Sequence, residues 1–252
     1  MNVNEITTSP SFFEELKHRF LTLLEEENIL NEPVTITSKS LTPEEAIGTT
    51  NRKDFPILTG KDVMIQAECL GTAGQAFTDA PSNFTGSLKE ICALDLSTDS
   101  HNRSLFIATL NAVMGHLGKA DHTVHCKNDG PELCAPQVAS HIHQTYGTPK
   151  ILQIGYQPSL LETLSKEFPL QIVDLNPDNI GQTRYNTQIQ DGSNPILLDS
   201  LCQWADLILC TGSTICNGTI TNFLKYKEKT LFYGTSLAGA APLMNLPRIC
   251  FA

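Results

Sequence analysis

The sequence predicts two successive architectures: an α+β unit over residues 1–119, then an α/β unit over 120–252 built on a mostly parallel sheet. Three observations carry this. Strands with one polar face precede helices in the first half, which is an α+β order. In the second half, short apolar strands without polar alternation are separated by helices, the pattern of a parallel sheet covered on both faces. Between the two lies a dense run of histidine and cysteine near residue 120, where the patterning changes character.

The first element is a helix. Ser11 and Glu14 have capping-box spacing, and Phe12, Phe13, Leu16, Phe20, Leu23 and Leu24 recur at helical intervals. PVTITSKSL (33–41) and TGKDVMIQAECLG (59–71) read as strands. In the second, Val63, Ile65, Ala67 and Cys69 face one way, Gln66 and Glu68 the other. GTAGQAFTDAPSNFTG (71–86) reads as a loop in which Phe77 and Phe84 anchor the chain while polar residues project. Helices are expected over about 87–94 and 103–117. The second is apolar almost all round and so should be central. Asn111, inside it, needs partners: it either ties the helix to a neighbouring loop or faces a cleft.

In the second half, helix 131–146 ends at Gly147 and is followed by strand KILQIG (150–155), a helix to Phe168, and strand QIVDL (171–175). Then come helix 196–205, strand DLILCTG (206–212), a helix from about Asn217 to Tyr226, strand TLFYGT (230–235), a short helical turn and strand RICF (248–251).

Composition narrows the function. With 27 acidic against 17 basic residues the formal charge is −10, which repels phosphate backbones and argues against nucleic-acid binding. No apolar run is long enough for a membrane helix, and the N-terminus has no secretory pattern. Eight cysteines with no C-x-x-C pair read as reduced thiols in a cytoplasmic protein. Cys69, Cys202, Cys210 and Cys250 sit in apolar surroundings and are expected to behave as small hydrophobes. A homo-oligomer stays open.

In open parallel sheets, ligands bind beyond the carboxyl ends of the strands. Small and hydroxylic residues recur there: Gly155, then Thr211-Gly212-Ser213-Thr214 running into Asn217-Gly218-Thr219, then Gly234-Thr235-Ser236. One such loop would be a tight turn; three equivalent ones point to a binding crevice. IGYQPSLLETL has one glycine where a dinucleotide fingerprint needs three, so no NAD site is expected. Asp174 is placed either to accept from ribose hydroxyls or to cap the turn at Asn176-Pro177. In the first half, Thr78 joins the candidate ligand contacts, and Asp79 is a candidate acid, base or ligand, or else a plain Asp-Ala-Pro turn.

ADHTVHCKNDGPELCA (120–135) concentrates donors. His122, His125, Cys126 and Cys134 are the candidate set for a transition metal of unknown identity. His141 and His143, two apart on a helix, cannot share its face. Two competitors remain: hydrogen-bonded packing, and a reactive thiol, since Cys134 near a helix N-terminus could act as a thiolate nucleophile.

GQAFTDAP…FTG, LFIATLNAVM, ADHTVHCKNDGPELCA, LCTGST…NGT and GTSLAGAAPL, in this order, resemble a family of unknown function labelled "putative heavy-metal chelation". The resemblance implies an enolase-N-terminal-like α+β domain (1–119), a Rossmann-like α/β domain (120–252) and a cleft between them. On that expectation the cleft binds a metal ion, or a small anionic ligand that can carry one. His125, Cys126 and Cys134 would supply soft donors, and the Thr211–Thr219 and Thr235–Ser236 loops would hold the anionic part. The alternative is an enzyme acting on a small nucleotide-like or acidic metabolite through Asp79 or Cys134.

Overall fold

A computed structural model of the chain describes residues 11–37, 41–59 and 63–251. It contains a four-stranded antiparallel sheet and a seven-stranded, mostly parallel one. Helix α1 (Phe12–Glu26) starts on the expected capping box, with Ser11 and Glu14 each accepting from the other's backbone N–H, and buries Phe13, Leu16, Phe20, Leu23 and Leu24. Strand β1 (Pro33–Thr37), helix α2 (Pro43–Ile47), strand β2 (Val63–Cys69), strand β3 (Thr72–Thr78) and strand β4 (Phe84–Ser87) follow, and the sheet order is β3-β2-β1-β4. The expected strand positions 38–40 and 60–62 lie outside the described residues. On β2, Ile65, Ala67 and Cys69 enter the main core, whereas Met64 packs on the other face with Ala46, Ile47, Phe55 and Ile57.

The passage 71–86 is not one loop. Its first half is β3, paired with β2 from Val63↔Thr78 to Cys69↔Thr72. The glycine that made it look irregular is required by what packs on it. A Cβ on Gly74 would lie 2.1 Å from the Ala112 amide nitrogen and 2.4 Å from the Ala108 carbonyl oxygen. The strand has no side chain there because a helix backbone occupies the place.

That helix is α4 (Ser100–His116), which follows α3 (Leu88–Ala93) and is buried from Arg103 to Met114. It lies between the two sheets. One hydrophobic cluster runs from Phe20 through Phe106 and Leu110 to Leu152, Ile208 and Phe232 of the parallel sheet, which is why the helix carries no polar face.

The second half contains α5 (Gly130–Tyr146), β5 (Ile151–Ile154), α6 (Pro158–Glu167), β6 (Leu170–Asp174), β7 (Thr183–Arg184), β8 (Thr187–Asp191), α7 (Pro195–Trp204), β9 (Leu207–Thr211), α8 (Thr214–Asn217), β10 (Thr230–Tyr233), α9 (Ala240–Met244) and β11 (Arg248–Ile249). The order is β11-β10-β9-β5-β6-β8-β7, parallel throughout except for the β7–β8 hairpin. The hairpin escaped the sequence reading because its turn is Tyr185-Asn186, both at positive φ (49° and 61°), without the usual glycine. The helix expected over 217–226 is broken: Gly218, at φ 84°, ends α8, and two 3-10 turns (Thr219–Asn222 and Leu224–Lys229) follow. The last strand stops at Ile249, two residues earlier than expected.

Numbering the parallel strands β5, β6, β8, β9, β10 and β11 as one to six, the order from the β8 edge is 3-2-1-4-5-6. Successive strands first build outward from β5 on one side, then cross to β9 and build the other way. The reversal between β5 and β9 opens a crevice beyond their carboxyl ends.

Candidate functional site

A cavity of about 490 Å³ occupies that crevice. Its floor is formed by Gly155 after β5, Asp174 at the end of β6, the Thr211–Thr214 turn after β9 and Gly234–Ser236 after β10. Phe77, Thr78 and Asp79, from the end of β3, face it from the antiparallel sheet. Asn217 and Thr219 complete the hydroxyl-rich side, and His125, Cys126, Cys134 and Cys250 line another. Of the candidate catalytic, ligand and metal residues named from sequence, Asn111 and His122 do not line it.

The strand-end turns fit together because two glycines let them. Gly155, at φ 86°, has no room for a Cβ, which would lie 2.7 Å from Thr211 Cγ2. On Gly212 a Cβ would lie 2.8 Å from the Leu237 amide nitrogen. Many of the hydroxyls are bonded within the protein. Thr214 Oγ1 donates to the Thr211 carbonyl (2.7 Å), Thr219 Oγ1 donates to Asn217 Oδ1 (2.7 Å), and Ser236 Oγ accepts from the Phe77 amide (3.0 Å). Thr78 Oγ1 accepts from Ser104 Oγ (2.6 Å). Asp174 performs the capping role: its two oxygens accept from the amides of Tyr156 and Asn176, both at 2.6 Å. Its carboxylate thereby shapes the first strand-to-helix turn while adding negative charge to the cavity floor.

Asn111 ties the helix down, the first of the two roles considered for it. Its Nδ2 donates to the carbonyls of Gln75 (2.8 Å), Thr235 (3.1 Å) and Ser236 (3.3 Å), and Oδ1 accepts from the Gly239 amide (2.7 Å). One fully buried carboxamide therefore joins β3, α4 and the turn after β10 beneath the cavity.

The histidines disperse. His122, at φ 49°, turns away to Asp121, with Nδ1 3.3 Å from the carboxylate. His143 stacks on Phe168 and pairs with Glu167 (3.0 Å), and His141 lies against Phe251. Only His125 of this group lines the cavity. Its Nδ1 is hydrogen-bonded to the Cys126 carbonyl, which can only accept, so that nitrogen carries a proton. Burial holds the ring's pKa down. The neutral ring then keeps a lone pair on Nε2, the form in which imidazole binds metals.

The thiols are the opposite of activated. Burial pushes Cys126 up to about 12, with Cys250 and Cys134 adding like-charge repulsion. Burial also raises Cys134, and the Phe251 N–H donated to it offsets this only in part. The thiolate, one competing reading for Cys134, is therefore not favoured: desolvation outweighs the Phe251 N–H. The four-donor set His122, His125, Cys126 and Cys134 is not assembled either. Among the described residues no three His, Cys, Asp or Glu side chains are placed to hold a metal ion.

Cys250 was missed. In sequence it looks like a strand hydrophobe in RICF; in the fold the chain turns out of β11 and sets it on the cavity wall with Cys126 and Cys134. None of the eight cysteines is in a disulfide. The electrostatic balance of the cavity is one-sided. Its described lining holds two carboxylates, Asp79 and Asp174, and no lysine or arginine.

Residues 139–240 match the family DUF364, described as "Putative heavy-metal chelation". Two solved structures are similar. One is a protein of unknown function from the same family in Pyrococcus horikoshii, 17% identical, with a TM-score of 0.55, covering 88% of this chain and 78% of that one. The other, from Desulfitobacterium hafniense DCB-2, is also a DUF364 protein of unknown function, 12% identical, with a TM-score of 0.46 and 72% of each chain covered. No curated protein matches. At 17% identity the Pyrococcus likeness shows a shared fold. No helix among the described residues is long and apolar enough to cross a membrane.

Proposed function

We propose that this protein binds a small chelate of a soft transition-metal ion, with the metal against the thiol wall and the organic part across the strand-end turns. The observation that carries the proposal is the donor set: thiols, an imidazole lone pair and carboxylates share one cavity whose described lining holds no lysine or arginine. An anionic metabolite would meet Asp79 and Asp174 there with no cation among the described lining residues to offset them. The nucleotide-like and purely anionic alternatives are disfavoured on that ground. A cation, or a ligand that carries one, is favoured.

Volume and geometry then separate a bare ion from a chelate. About 490 Å³ is the size of a small-molecule pocket and far exceeds a single ion. Among the described residues there is no three-residue ligand set, so an incoming metal needs donors that the ligand brings with it. His125 Nε2, Cys126, Cys134 and Cys250 are the protein's candidate donors, and the ion itself would supply the charge that deprotonates the thiols. The match to a family described by heavy-metal chelation supports this direction. The matched stretch ends at residue 240 and begins at 139, so it holds the crevice but not Cys126, Cys134 or Cys250.

The wider reading is of two domains, 1–119 and 120–252, meeting at the cavity. The second is Rossmann-like by its 3-2-1-4-5-6 order and the crevice at its switch point.

Elemental analysis and mass spectrometry of protein purified without a histidine tag test the proposal. Metal co-purifying with a small organic molecule, both lost in the Cys126→Ser, Cys134→Ser double variant, is the expected result. Metal-free protein that retains a phosphate ester or nucleotide would overturn it.

A further inference from the structure

A third part of the cavity wall belongs to neither sheet. Ile47, Phe55, Pro56 and Ile57 line it. Ile47, Phe55 and Ile57 pack with Ala46 and Met64 in a small cluster separate from the main core. A segment with its own satellite cluster can shift without cutting that core.

Two polar fastenings hold this segment to the parallel half. At the first, Asn128 donates its N–H to the Ile47 carbonyl (2.7 Å) and accepts at Oδ1 from the Thr49 amide (3.0 Å). Asn128 adopts φ 57° to do so. Gly48, at φ 69°, must lack a side chain, because a Cβ would lie 2.4 Å from Asn128 Oδ1. At the second, Arg52 grips Asp54 through Nε (2.8 Å) and Nη2 (3.2 Å), and reaches Glu162 on α6 through Nη1 (2.9 Å). Nη2 also donates to Tyr185 on the β7–β8 turn, whose hydroxyl donates to Asp54 (2.9 Å). Tyr156, a lining residue, donates to the same carboxylate (3.3 Å).

We propose that residues 47–57 are a latched cover over the cavity, and that release of the Arg52 and Asn128 fastenings admits ligand. The fastenings are of the kind that opens readily. Arg52, Asp54 and Glu162 keep 16%, 27% and 34% of their side-chain surface exposed, so each regains water when the contact parts. Covers built this way set the rate of entry and escape, while the binding groups lie on the rigid strand ends beneath. The inference does not depend on what the ligand is.

The cavity thiols report on the cover without any ligand. Cys126, Cys134 and Cys250 line the cavity and are half-buried; Cys216 also lines it but is fully buried, and Cys69, Cys92, Cys202 and Cys210 are buried away from it and react only on larger unfolding. Arg52→Ala and, separately, Gly48→Ala are treated with a small and a bulky maleimide, and each cysteine's rate is read by peptide mass spectrometry. The expected result is a gain of about tenfold or more for the bulky reagent at the cavity thiols, with less change for the small one. Rates unchanged from wild type, or all eight cysteines accelerating together, would overturn the proposal. If either variant does not fold, hydrogen exchange of the wild type decides. The amides of Thr49 and Asn128 should exchange by local opening well before those of β5 and β9, and exchange only at the rate of global unfolding sinks the idea.

Discussion

The floor of the cavity and its thiol-bearing wall are adjacent in space but are built by different means. The floor is made of short turns at equivalent places, the ends of β5, β6, β9 and β10; three of them carry a glycine, and they are hydrogen-bonded within themselves or to one another. The wall is gathered from residues 125–126, 134 and 250, with no regular element holding all of them. The floor is therefore rigid and is a consequence of the sheet; the wall is an attachment. The family match follows this line, covering the floor and omitting the thiols. The difference teaches that fold stability and ligand chemistry should separate on substitution: changes at the floor should cost stability, and changes at the wall should cost binding.

The sharpest break of that comparison comes from beneath the floor. Asn111→Ala removes the partner of the Gly239 amide and of the Gln75 and Ser236 carbonyls in a fully buried place, while the Thr235 carbonyl keeps the Ala238 N–H. Each orphaned buried group costs about 1–3 kcal/mol, so a loss of about 3 kcal/mol or more in a urea titration is expected. A loss below about 1 kcal/mol would mean that water replaces the carboxamide and that the two sheets are not bolted there. Next, Gly155→Val introduces a β-branched residue at φ 86° with its Cβ against Thr211. Strain and overpacking together predict about 2–3 kcal/mol of destabilisation. Unchanged stability would show the first strand-to-helix turn to be pliable.

At the wall the signs exchange. Cys126→Ser and Cys134→Ser keep nearly the same volume at half-buried positions, so stability should move by about 1 kcal/mol or less. Uptake of cadmium, followed by its thiolate charge-transfer absorption in the presence of a small carboxylate chelator, should fall about tenfold or more. If both variants bind as wild type does, the thiols are packing residues.

The smallest effect concerns the latch and pH. Burial works against ionisation of Asp54, but hydrogen bonds from Arg52 and Tyr185 hold its pKa below the ordinary carboxylate value. Lys166 and then Arg52 do the same for Glu162. Tyr156 and Glu132 also face this group. Folded pKa values below the unfolded ones mean stabilisation that is complete above the ordinary carboxylate range and is lost as pH falls through the folded values. The stability gap between wild type and Asp54→Asn should thus be about 1 kcal/mol or less at pH 7 and shrink toward pH 3. A gap that widens in acid would contradict the arrangement.

Much of this was legible beforehand because it is local. The Ser11/Glu14 capping box, the all-apolar α4 and the helix stop at Gly147 are each written in neighbouring residues. So were the hydroxyl-rich turns, whose strand-end positions follow from alternation of short apolar runs with helices. Other features were not legible, since their cause lies far along the chain. Gly74 reads as a loop residue until α4 is seen against it, and Cys250 as a hydrophobe until β11 is seen beside α5. Arg52 gave no signal at all, because its partners Glu162 and Tyr185 come from the other half of the sequence.

The sequence by itself determined the alternation of helices and parallel strands in the second half, the acidic character of the chain, and the set of strand ends where a ligand could sit, because periodicity, capping and charge act over a few residues. Only the tertiary structure decided which donors share a cavity. It kept His122 off the cavity wall, brought Cys250 onto it, raised the Cys126 and Cys134 thiols by burial and kept basic side chains off the described lining. Those outcomes depend on desolvation and on contacts across a hundred residues or more, which no local pattern encodes.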